Sequence, residues 1–84
     1  MHLTGHARAR LIERVIPITN PDLVGKPISA SLAEKIANDF LRNAPRRTQS
    51  GGASIFEDAQ FGLYAVCNCR ENKIITFGDQ FSHE

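Results

Sequence analysis

The chain is expected to fold as an α+β domain, with two N-terminal helices packed on one face of a three- to four-stranded antiparallel sheet. Three observations predict this. Apolar residues recur at helical period in two stretches of the first half, a polar glycine-rich segment spans 45–52, and the stretches after residue 53 are rich in β-branched and aromatic residues. Helices that all precede the strands segregate to one face of the sheet. With 84 residues the chain is read as a single domain over 1–84.

The first helix is expected over 6–16. Thr4 or Gly5 caps it, Ala7, Leu11 and Val15 form the core-facing stripe beside Ile12 and Ile16, and Pro17 ends it. Residues 18–28, with Asn20-Pro21 and Gly25-Lys26-Pro27, read as an extended connection. Ser31 stands three residues before Glu34, a capping-box spacing, and Leu32, Ala33, Ile36, Ala37, Phe40 and Leu41 continue a second helix that stops before Pro45. "PRRTQSGG" at 45–52 reads as a flexible loop. "ASIF" follows as a short strand before a Glu57-Asp58 turn. "FGLYAVCNCR" and "KIITFG" read as a hairpin closing near Asn72, since asparagine tolerates the left-handed conformation of a tight turn. The C-terminal "GDQFSHE" reads as a frayed tail from which Phe81 packs back.

A hydrophobic content of 42% with 23% charged residues is that of a globular protein. No apolar run approaches the roughly 18–20 residues of a spanning helix, and Met1–His6 has no signal pattern. The expectation is a soluble cytoplasmic protein, without a membrane partner, made by a bacterium or by something that infects one. Cys67 and Cys69 share one strand face about 6.5 Å apart, too far for a ready disulfide, so both are expected as free thiols. His2, His6 and His83 complete no zinc spacing with them, and neither a metal nor another cofactor is expected. Charge is unevenly spread: residues 1–47 hold eight Lys/Arg against four acids, net +4, and residues 48–84 hold two against five, net −3. A phosphate would go to the first half.

His6, Arg10 and Arg14 stand four residues apart along one helical ridge. Like charges at this spacing cost a few tenths of a kcal/mol, so helix stability alone does not select them. Solvated arginines, or arginines paired with Glu57 or Asp58 and a His6 that merely caps the helix, are the competing explanation. Tyr64 either fills the core or stacks on a base. Arg46-Arg47 either solubilises its loop or tracks a nucleic-acid backbone, and Arg70 and Lys73 read as a solvated edge.

The pattern H-A-x-x-R-x-x-E-R, filled by His6, Ala7, Arg10, Glu13 and Arg14, resembles the opening signature of a small bacterial and phage domain-of-unknown-function family. Lys73-Ile74-Ile75-Thr76-Phe77 is similar to its last strand. That family is grouped with the barnase, EndoU, colicin and RelE-like superfamily of compact RNases. Val15 stands where many members carry glycine, and 17–28 is longer and richer in proline, as in a remodelled relative. The resemblance implies a metal-independent endoribonuclease toxin, or its derivative, acting on RNA. Such cleavage needs a base, an acid and cations against the charge building on phosphorus. His6 would be base or acid, Arg10 and Arg14 the phosphate clamps, and Thr76 a hydrogen-bonding group, provided it faces the helix. Arg46, Arg47 and Tyr64 would hold the nucleic acid. A toxin implies a cognate antitoxin or immunity protein. The alternative is a non-catalytic phage- or plasmid-encoded protein that inhibits a host enzyme or nucleoprotein complex, and an RNA-binding adaptor lies between the two.

Overall fold

A computed structural model describes residues 1–44 and 46–79, with Arg46 and Ser50 described in their backbone alone. The expected α+β class holds. Strand β1 (His2–Leu3) precedes helix α1 (Gly5–Arg10), a π-helical stretch Leu11–Val15 and α2 (Ile16–Thr19); a 3₁₀ turn Pro21–Leu23 leads to the long helix α3 (Ala30–Asn43). Four strands follow: β2 (Arg46–Ser50), β3 (Ala53–Asp58), β4 (Leu63–Asn68) and β5 (Lys73–Asp79). Among the described residues the sheet has five strands rather than three or four, in the order β1-β5-β4-β3-β2, and it is mixed, because β1 runs parallel to β5.

Thr4 caps α1, its hydroxyl accepting from the Ala7 N–H at 3.0 Å. Pro17 does not end the first helix, which continues to Thr19. The Ile16 N–H reaches back five residues to the Leu11 carbonyl, and this wide turn moves the ladder aside just where Pro17 offers no donor. Proline then sits in the first turn of α2, where its missing N–H is not needed. The cap of α3 is Ser29, not Ser31: the Ser29 hydroxyl accepts from the Leu32 N–H at 3.1 Å. Buried Ile28 fixes the chain there, and the Arg8 guanidinium donates to its carbonyl at 2.7 Å.

Within the segment read as a loop, Arg46–Ser50 form a strand. Thr48 and its neighbours pair antiparallel with β3, and the chain reverses over Gly51-Gly52 with φ +60° at Gly51. This edge strand is held by its backbone, so it carries no apolar alternation. Glu57 and Asp58 belong to β3 rather than to a turn. The turn follows, where the Asp58 carboxylate accepts the N–H groups of Gln60 and Phe61 at 3.0 and 3.4 Å. Asn72 takes φ +57° in the β4–β5 turn, as the hairpin reading requires.

Both helical segments pack on one face of the sheet. Ala7, Leu11 and Val15 from the first, and Ala33, Ala37 and Phe40 from α3, meet Leu63, Ala65 and Cys67 of β4 and Ile74 and Phe77 of β5. Ile74 and Phe77 share that face because the register slips between Val66 and Cys67, which leaves Ile75 as an extra residue. The bulged Ile75 carbonyl accepts the Thr4 hydroxyl at 3.1 Å and ties the helix start to the sheet. The Phe40 and Phe77 rings meet edge to face at 5.7 Å. The tail carrying Phe81 and His83 lies outside the described residues.

Candidate functional site

The helical stripe places Ala7, Leu11 and Val15 against the sheet, so the neighbouring ridge of His6, Arg10 and Arg14 turns outward. His6 is exposed. Arg10 donates to Glu13 Oε2 at 2.9 Å, and Arg14 Nε lies 3.7 Å from the other oxygen of the same carboxylate. The two guanidinium groups are therefore bridged by Glu13 and not by Glu57 or Asp58. Arg14 also lines an open depression of about 400 Å³ with Pro17, Ile18 and Asp79.

Thr76 stands apart from this ridge. It pairs with Val66, which alternates with Ala65 and Cys67, both buried under the helices. Opposed residues share a face and successive residues alternate, so Thr76 lies on the outer face of the sheet, with the sheet between it and His6. The condition set for its role, that it face the helix, is not met. Tyr64 shares this outer face, half-buried, with its ring laid over the backbone of Gly78. It is neither a core residue nor a neighbour of the arginine ridge. Arg46 pairs with Glu57, which pairs in turn with Tyr64, so the three share one row of the sheet; the Arg46 side chain lies outside the described residues.

Arg47 takes the inner face, opposite Phe56, beyond the cover of the helices, since both Arg47 and Gln49 are exposed. Its guanidinium stacks over the Phe56 ring at 5.2 Å. Nη2 reaches the buried Ser54 hydroxyl at 3.2 Å and Cys69 Sγ at 3.6 Å. Beside it opens a polar cleft of about 320 Å³ between the β2–β3 and β4–β5 turns, lined by Gln49, Ser54, Asn68, Cys69 and Arg70. One carboxylate stands near its rim: Glu71 accepts from Asn68 Nδ2 at 2.7 Å. The arrangement can hold an anion through a fixed guanidinium fork with amide and hydroxyl groups around it.

Phe56, Ser54 and Cys69 as supports of Arg47 were not foreseen. The Gly51-Gly52 dipeptide between "RRTQS" and "ASIF" is the available hairpin signal, and a two-residue turn there sets Arg47 opposite Phe56. Both cysteines are free. Burial, followed by the charge of nearby Cys69, pushes the Cys67 thiol up to about 11, so it stays protonated near neutral pH. Among the described residues no group of three or more His, Cys, Asp or Glu side chains is placed to hold a metal ion, and no helix is long and apolar enough to cross a membrane. No protein-family model matches this chain, and neither a curated protein nor a solved structure matches it.

Proposed function

We propose that this chain is a cytoplasmic RNA-binding derivative of the RelE-like, metal-independent endoribonuclease scaffold. It holds a phosphate backbone at the Arg47 cleft and does not cut it at the helix ridge. The observation that carries this reading is the setting of Arg47. Phe56, Ser54 and Cys69 fix its guanidinium, and its N–H groups other than those on Nη2 have no protein partner among the described residues. A pre-positioned fork of this kind binds phosphate oxygens without first losing side-chain freedom. The cutting reading has less support, because His6 and Thr76 lie on opposite sides of the sheet and one carboxylate bridges Arg10 and Arg14. A binder of this kind needs no antitoxin.

Fluorescence anisotropy with a labelled single-stranded RNA tests the proposal. Wild type should bind, and Arg47→Ala should weaken binding and flatten the salt dependence by about 0.7 in log–log slope, the share of one phosphate on a single strand. His6→Ala should bind as wild type does, and the RNA should stay intact in EDTA. Cleavage in EDTA that His6→Ala abolishes would restore the nuclease. A second reading, docking on a host enzyme, draws on the outer sheet face, which no described element covers and where Ile55, Tyr64 and Val66 are half-buried beside exposed Ile75. It is favoured if RNA does not bind and a Tyr64→Ala variant loses a host protein that wild type retains.

A further inference from the structure

A second concavity, of about 260 Å³, lies at the other end of β3, where the end of α2, the last turns of α3 and the β3–β4 turn meet. Ser54 of the Arg47 cleft and Asp58 of this pocket are four strand residues apart, roughly 13 Å. Ile36, Phe40 and Phe61 supply apolar walls, and Asn20, Asp39, Asn43 and Asp58 supply polar groups. No lysine or arginine lines it.

The hydrogen bonds already made decide which polar atoms remain. Asp58 Oδ1 accepts the Gln60 and Phe61 N–H groups, which leaves Oδ2. Asp39 Oδ1 faces Arg42 at 3.2 Å, an exposed pair of little strength, and again Oδ2 remains. Asn43 Nδ2 donates to the Asp39 carbonyl at 2.9 Å, so its Oδ1 remains. Residues lining the pocket thus keep three acceptors without a hydrogen bond among the described residues, two of them carboxylate oxygens, beside aromatic and aliphatic walls. Phe61 lines the pocket and is 38% exposed, and an aromatic ring attracts a cation.

We propose that this pocket binds an alkylguanidinium group. Such a ligand brings positive charge, several N–H donors in a plane, and a methylene stem for the apolar walls. A hydrated metal ion would leave those walls unused, and a nucleotide would bring its phosphate toward Asp39 and Asp58. The proposal is independent of RNA binding at the Arg47 cleft.

The test is a ¹H–¹⁵N NMR titration of the full chain with agmatine, with a blocked peptide containing one arginine, and with guanosine. Agmatine should shift the amides of Asn20, Asn43 and Asp58 to Phe61 saturably. In the Asp39→Asn/Asp58→Asn double variant the affinity should fall about tenfold or more. The amide oxygen introduced by Asp58→Asn can still accept the turn N–H groups, and an unchanged melting temperature confirms the fold. Saturable binding by the peptide as well assigns the guanidinium to an arginine side chain of a partner, and binding by agmatine alone assigns it to a free small molecule. Absence of saturable shifts with agmatine, equal affinity in the double variant, or binding of guanosine in place of agmatine overturns the proposal.

Discussion

Gly78 lies so close beneath the Tyr64 ring that a Cβ there would overlap it. The aromatic ring covers a stretch of β5 that has no side chain of its own, and the glycine gives the ring a flat seat. Gly78→Ala should therefore cost about 1–3 kcal/mol through forced displacement of the ring, read as a lower midpoint in urea. Combined with Tyr64→Ala, the second substitution should add far less than its single cost. The two cysteines behave as a contrasting pair. Cys67 is fully buried, with its thiol held protonated up to about 11, while Cys69 is half-buried at the edge of the cleft. The folded-state value of Cys67 is raised above the usual 9.0, so the unfolded chain releases this proton first. Stability from this group is present below pH 9 and declines as pH rises from 9 toward 11. Denaturation across that range should show a negative slope that Cys67→Ala reduces, and iodoacetamide should label Cys69 before Cys67 in the folded protein.

Among the elements, α3 offers the clearest check on what the chain encodes. Two serines two residues apart are both competent caps, and the hydrogen bond to the Leu32 N–H selects Ser29. Ser29→Ala should cost about 1 kcal/mol, and Ser31→Ala, at an exposed first-turn position, less than about 0.5 kcal/mol, both measured by chemical denaturation. The capping-box spacing is not realised: with Ser29 as cap the third helical residue is Leu32, and Glu34, two residues further on, stands 3.6 Å from His2 Nδ1. Apolar periodicity found both helices, and Asn72 located the last hairpin. Periodicity failed at Pro17, where the π turn absorbs the residue that ought to have stopped the helix, and at β2, where an edge strand is held by backbone hydrogen bonds and needs no apolar face. The helix ridge was legible as a row of charges. Its neutralisation by Glu13 was legible too, three residues from Arg10, but the sheet placing Thr76 out of reach was not.

Across the whole molecule, the two layers are joined by few large side chains, Phe40 and Phe77 foremost. A chain of this size has about 4–13 kcal/mol of total stability, and Phe40→Ala is expected to remove about 3–5 kcal/mol of it. That variant should melt at a markedly lower temperature than wild type, as circular dichroism would show. The basic first half and acidic second half of the sequence do not become two separate poles, since β2 brings Arg46 into register with Glu57. Arg47 emerges as a cation on an aromatic seat, a result that depends on a cross-strand pairing and so escapes a reading of its own segment. The most distant pairing of all sets the schedule of assembly. His2 and Leu3 pair in parallel with Lys73 and Ile74, and the Thr4 N–H reaches the Ile74 carbonyl at 3.2 Å. On the ribosome, β1 and the start of α1 emerge before α3 and strands β2 to β4, and wait without their sheet partner until β5 is translated. The parallel edge of the sheet can close only after β5 has emerged, so β1 depends on a partner that the chain makes much later.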